Sequence, residues 1–140
     1  MALLSRKSLL AVAAVIDVAL HGRDRPVSAK ALAARHSLPA RHLEPVLQAL
    51  VRMGILKGIR GPRGGYELAR ERKRITADEI LRAAGTIEDG TGSTVADSMV
   101  LNQVVIPAMS QAEKTFAAAL GRINLEDLVR KAEPLRDMLT

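Results

Sequence analysis

Arg60-Gly61-Pro62-Arg63-Gly64-Gly65-Tyr66 decides how the rest of this chain is read. Two arginines stand among three glycines and a proline, between short runs at residues 55–60 and 66–69. Runs so short, bounded so closely by Gly and Pro, predict a two-stranded hairpin with a five-residue loop. Glycine suits the loop because a tight turn visits positive φ and because bare backbone approaches a neighbouring wall closely. A lone hairpin is marginal in water, so it must pack on helices.

Those helices are readable upstream. Leu9, Val12, Ala13, Ile16, Ala19 and Leu20 recur at helical spacing and predict a first helix over residues 5–20, stopped by His21-Gly22. Ser28 is a good N-cap for a short second helix over residues 29–36, with Val27 and Leu32 as a hydrophobic staple. Ser37-Leu38-Pro39 makes a tight turn whose Leu38 plugs the core. Leu43, Val46, Leu47, Leu50 and Val51 then form the stripe of a half-buried third helix that Gly54 caps. Pro45 removes an amide inside that helix, which predicts a distorted first turn.

Downstream, Thr76 and Glu79 spell a capping box, with Ile75 and Ile80 as its staple, for a fourth helix over residues 77–84. The glycine-rich, aperiodic residues 85–93 read as a mobile linker, the main internal boundary of the chain. A long helix is expected over residues 94–120, kinked at Pro107. Leu101, Val105, Ala108, Ala112, Thr115 and Ala119 recur at alternating steps of four and three, the spacing of a helix pair, and small residues let two such helices approach closely. A second stripe, Val104, Met109, Phe116 and Leu120, is available to bury against the body. Asn124 caps a last short helix over residues 125–132. The fold expected is mainly α with a small β-hairpin: a winged helix-turn-helix over residues 1–84, a flexible loop over 85–93, and a dimerisation helix with a short terminal helix over 94–140.

Charge indicates the partner. Residues 1–74 carry 15 Lys and Arg against 5 Asp and Glu, whereas residues 75–140 carry 6 against 10. A field so uneven steers polyanions to the first half, and phosphate neutralisation supplies most non-specific nucleic-acid affinity. Helix-turn-helix geometry puts the start of the third helix in the major groove, where Ala40, Arg41, His42, Glu44 and Gln48 are the exposed candidates. Arg41 donates to guanine or to phosphate, and Glu44 either accepts from the cytosine amino group or serves the helix dipole. Arg60 and Arg63 reach phosphates or the minor groove, and Tyr66, at the end of the loop, is a further DNA-binding candidate. Lys30, Arg35, Lys57 and the basic run over residues 70–74 are phosphate neighbours.

Other chemistries find little support. No cysteine occurs, so there is no disulfide and no thiolate for zinc, haem or an iron-sulfur cluster. The loop lacks Walker spacing and its Lys-Ser or Lys-Thr pair. His21, His36 and His42 read as surface histidines rather than metal ligands, and no triad or carboxylate pair marks an enzyme. The N-terminal apolar run resembles a signal peptide, but Asp17 interrupts it and it is too short for a bilayer, which places the chain in the cytoplasm with no membrane partner.

Leu43-Glu44, residues 47–54, the run over residues 60–70 and Ile75-Thr76 through Ile80 together resemble the Rrf-two (Rrf2) family of bacterial repressors, which includes the IscR and NsrR regulators. The resemblance implies a homodimer built on the long helix, one winged helix-turn-helix per subunit and a roughly palindromic operator in double-stranded DNA. It also implies a base contact for Glu44 and a minor-groove contact for Arg60. The sequence departs from the family in two places. Three cluster-binding cysteines usual before the long helix are missing between Glu88 and Val105, so no cofactor is expected. Pro45 stands where relatives often have a glutamine that helps read DNA. The expected function is a sequence-specific, homodimeric repressor without a cluster. The alternative is a winged-helix sensor or protein-interaction module that has lost DNA reading. The effector stays open.

Overall fold

Eight regular elements follow one another in a computed structural model that describes residues 6–85 and 99–139. They are α1 (Arg6–His21), α2 (Ala29–Arg35), α3 (Ala40–Arg52), β1 (Leu56–Ile59), β2 (Gly65–Leu68), α4 (Ala77–Gly85), α5 (Ile106–Leu120) and α6 (Leu125–Ala132). Most of the expected linker, and the start of the expected long helix, lie outside the described residues.

α1 runs through the middle of the core. Ala11, Ala14, Val15, Val18, Ala19 and Leu20 are buried, while Leu9 is 53 % exposed and Val12, Ala13 and Ile16 are half-buried. The expected stripe therefore mixes two faces. The helix is apolar nearly all round, so periodicity alone does not choose which side turns inward.

Local chemistry shapes the helix-turn-helix. The Ser28 Oγ accepts from the Ala31 amide at 3.0 Å, so the cap read from the sequence forms. After α2, Ser37 takes a left-handed conformation at φ 54°, and the Leu38 amide bonds to the Ala33 carbonyl at 2.9 Å. That closes the C-terminus of α2 in the manner usually given to glycine. α3 continues through Pro45 without a break. In its first turn the His42 amide bonds to the Pro39 carbonyl at 3.0 Å, a three-residue bond that tightens the entry. At its other end Gly54 sits at φ 76° while the Ile55 amide reaches back to the Leu50 carbonyl at 3.0 Å. Leu43, Val46, Leu47 and Leu50 are fully buried against α1, so α3 has one fixed face and one free one.

β1 and β2 pair antiparallel in the register Leu56 with Leu68 and Gly58 with Tyr66. A third strand-like contact completes the wing. Val27 and Tyr66 exchange both backbone bonds, at 3.0 and 2.8 Å, which ties the hairpin to the segment just before α2. Gly65 is required there, because a Cβ would lie 2.4 Å from the Val27 carbonyl oxygen.

α4 starts as the capping box predicts, with the Thr76 amide donating to Glu79 Oε1 at 3.2 Å and with Ile75 and Ile80 buried. α6 returns to the same core. The Leu125 amide bonds to the Ile75 carbonyl at 2.8 Å, and Leu125 and Val129 are buried beside α1. The terminal helix assigned to a dimerisation region thus also completes the winged-helix body.

A π-helical turn, Leu101–Val105, precedes α5. Pro107 offers no amide to the Gln103 carbonyl, and a wider turn is the usual way a helix absorbs such a loss. Phe116 and Leu120 are half-buried, but Val104 is 61 % exposed and does not join them against the body. The Met109 side chain lies outside the described residues. Val105, Ala108, Ala112, Thr115 and Ala119 of the expected helix-pair seam are exposed, and the Leu101 side chain lies outside the described residues.

Candidate nucleic-acid interface

The free face of α3 carries Arg41, His42, Glu44 and Gln48, all exposed. Steps of three and four from Arg41 to Glu44 to Gln48 align these side chains along one ridge, and Arg52 extends it by another turn. Burial of Leu43, Val46, Leu47 and Leu50 holds that ridge outward. Ala40, also exposed, starts the helix.

The wing brings a second cationic group. Arg60 and Arg63 are exposed in the loop, where Gly61 adopts φ 115° and the Gly64 amide bonds to the Gly61 carbonyl at 2.9 Å. Such a turn holds both arginines on short, constrained backbone rather than on a floppy loop. Lys57 stands on β1, opposite Glu67 in register and 3.7 Å from its carboxylate, and is exposed. Lys30 is exposed on α2. Arg25 was not singled out in the sequence, yet it lines the cleft between the α1–α2 turn and the wing together with Arg63. Its only sequence signal is its place in the charged turn over residues 23–26.

Four of the expected contacts, Arg35, Tyr66, Arg70 and Arg72, make hydrogen bonds within the protein. Arg35 is turned inward: its Nε donates to Asp17 Oδ2 at 2.9 Å and its Nη2 to Asp17 Oδ1 at 2.7 Å. Tyr66 is pinned by its backbone bonds to Val27, and its half-buried side chain packs against the core. Within the basic run, Arg70 donates to Glu79 at 2.9 Å and to the Gly54 carbonyl at 3.1 Å. Arg72 donates to the Ala19 carbonyl at 2.9 Å. Of the basic residues in that run, Lys73 and Arg74 are exposed.

Two of the three histidines are also not free surface groups. Asp17 is 1 % exposed, His36 Nε2 lies 2.9 Å from its Oδ2, and His21 Nδ1 lies 3.3 Å from its Oδ1. Burial by itself would push the Asp17 carboxyl up. The Arg35 guanidinium, the His36 hydrogen bond and the nearby His21 outweigh it and hold the carboxyl below its ordinary value. His42 alone is exposed, on the α3 ridge.

The fit to an iron cofactor is poor. The chain has no cysteine, and among the described residues no three His, Asp or Glu side chains converge to hold a metal ion. No described helix is long and apolar enough to cross a membrane.

Known proteins share this arrangement. A family model described as "Rrf2: Iron-dependent Transcriptional regulator" matches residues 4–131. The chain is 36 % identical over 126 residues to a Synechocystis protein, slr0846, named as a helix-turn-helix transcriptional regulator, covering 89 % of this chain and 86 % of that one. It is 33 % identical over 138 residues to the regulator IscR of Xenorhabdus nematophila, covering 94 % and 82 % respectively. Among solved structures, IscR of T. potens superposes with a TM-score of 0.70 at 32 % identity, covering 94 % of this chain and 88 % of that one. With a winged helix, an outward recognition ridge and a basic wing, the chain belongs to the Rrf2 family and is a DNA-binding transcriptional regulator.

Proposed function

We propose that this regulator is a homodimeric repressor that works without an iron-sulfur cluster, reading a roughly palindromic operator with Arg41, His42, Glu44 and Gln48 in the major groove. Arg60 and Arg63 reach the minor groove or its phosphates, while Lys30, Lys57 and Arg25 neutralise the backbone. The observation that carries this reading is the alignment of Arg41, Glu44 and Gln48 on the free face of α3, with two wing arginines held by a constrained turn. Most contacts of such an interface go to phosphate and fix register, and a few side chains on the ridge supply the discrimination.

Pairing is supported by unspent apolar surface. Val105 and Ile106 on the long helix are 39 % and 43 % exposed, and Leu9 on α1 is 53 % exposed. Exposed apolar residues at helix-pair spacing are satisfied by a second copy, and two copies set the distance between two recognition helices. A signal would act by changing that distance or its rigidity. The chain works in the cytoplasm, where its operator lies.

Selection of bound fragments from genomic DNA tests the assignment. Recovery of an inverted repeat whose half-sites lie about one helical turn apart is expected, together with silencing of a reporter placed behind it. Recovery of fragments with no shared sequence would remove the operator-reading claim, and reporter activation would remove the repressor.

A further inference from the structure

Beside the recognition ridge lies a groove of about 460 Å³ between the start of α1 and α3. Its walls are Leu10, Leu38, Pro45 and Val46, and its rim carries Lys7, Arg41 and His42. Val46 is fully buried beneath it, Leu10 and Leu38 are half-buried, and Pro45 is exposed. Among the described residues no acidic side chain lines it.

Each wall has a local cause. Leu38 is held against the groove by the left-handed Ser37, which turns the chain back toward α1. Pro45 is exposed on α3 and adds an apolar ring to the wall. Hydrocarbon walls with a few convergent polar groups, within a volume of several hundred Å³, are the ordinary form of a small-molecule site. DNA is a poor occupant, since its anionic backbone has no hydrocarbon of that size to place there. The rim asks for negative charge and the walls ask for carbon.

We infer that this groove binds a small apolar monocarboxylate, a medium-chain fatty acid or an aryl acid, and that its occupation competes with DNA. The carboxylate meets the Arg41 guanidinium, whose planar fork matches two oxygens, with Lys7 as the second positive charge. The body lies on Leu10, Leu38, Pro45 and Val46. Arg41 then cannot serve both ligand and duplex, so the acid releases the operator without any movement of the core. The competition rests on the DNA-reading proposal above, whereas the binding of the acid does not.

The test is isothermal titration of the full chain with octanoate and with octanamide, repeated on Lys7→Glu, and then DNA binding with and without octanoate. Lys7 is exposed and is not among the side chains that the DNA-reading proposal uses. Saturable binding of octanoate, at least about tenfold tighter than octanamide and weakened about tenfold in Lys7→Glu with an unchanged melting temperature, is expected. Octanoate should weaken DNA binding in proportion to its occupancy. The inference is overturned if octanoate does not bind, if octanamide binds as well, or if Lys7→Glu makes no difference. A changed sedimentation coefficient on adding octanoate would place a second copy in the groove and also overturn it. If the protein binds no DNA even without octanoate, the DNA-reading proposal and the competition both fall, and the titration still decides the ligand.

Discussion

Arg35 grips Asp17 through two hydrogen bonds, Nε to Oδ2 at 2.9 Å and Nη2 to Oδ1 at 2.7 Å, and so ties α2, the first helix of the helix-turn-helix, to the C-terminal part of α1. Removing one partner of a buried pair costs about 3 kcal/mol or more when the other charge is left alone, and His36 and His21 beside Asp17 reduce that here. Arg35→Ala should therefore lose most of that in denaturant unfolding. A loss below about 0.5 kcal/mol, the size of an exposed pair, would contradict the burial of this one.

The same pair contributes to the acid stability of the fold, alongside Glu79, whose pKa Arg70 also lowers. A carboxyl whose pKa falls on folding stabilises the protein above its unfolded value of about 3.9, and the contribution disappears as pH falls through the lower folded value. Asp17 is such a group: burial alone would raise its pKa, and Arg35 is the first of the partners, ahead of His36 and His21, that hold it down. Arg35→Ala should unfold at a higher pH than the parent in an acid titration followed by circular dichroism. Coincident acid transitions would assign the stabilisation elsewhere.

At the wing, Gly65→Ala would bring a methyl group into the Val27 carbonyl and force the hairpin away from α2. The expected cost is about 1–3 kcal/mol in stability, with a further drop in DNA affinity because Arg60 and Arg63 lose their fixed seat. Unchanged melting and binding would mean that the hairpin does not depend on this approach.

Glu44 separates two roles that look alike in the sequence. If it reads a base, Glu44→Gln leaves the melting temperature in place and relaxes preference at one base pair of each half-site by about 1–3 kcal/mol. If it serves the helix dipole, the same change lowers stability by about 0.3–1 kcal/mol and leaves base preference intact. Competition binding against single-substituted operators distinguishes them.

On the long helix, Ala112 is exposed in the middle of the proposed seam. Ala112→Glu should give a monomer by sedimentation, with an intact core melt and far weaker operator binding, because each half-site is then held alone. A dimer that persists would move the interface off this face.

Features set by neighbours in the chain were legible before any coordinates. Ser28, Glu79 and Asn124 cap where their sequences say, since a cap needs only residues two or three positions away. The hairpin, the buried stripe of α3 and α6 over Leu125–Ala132 follow for the same reason. Direction at long range was not legible. Arg35 finds Asp17 across 18 positions and Arg72 finds the Ala19 carbonyl across 53, so a basic residue near the wing looks available until the fold claims it. The inward face of α1 was hidden because alanine and valine surround it on all sides. The groove beside α3 was hidden because Leu10 and Leu38 meet Pro45 only after Ser37 turns the chain.

Fluorescence titration of operator DNA against salt, on the parent and on Arg60→Ala/Arg63→Ala, tests the central claim most directly. If recognition ridge and basic wing engage the duplex together, the parent binds tightly at low salt. The double variant should then bind more weakly, with a log–log salt slope shallower by about two per subunit, about four for the dimer. Absence of binding by the parent at low salt, or identical slopes for the two proteins, would contradict it.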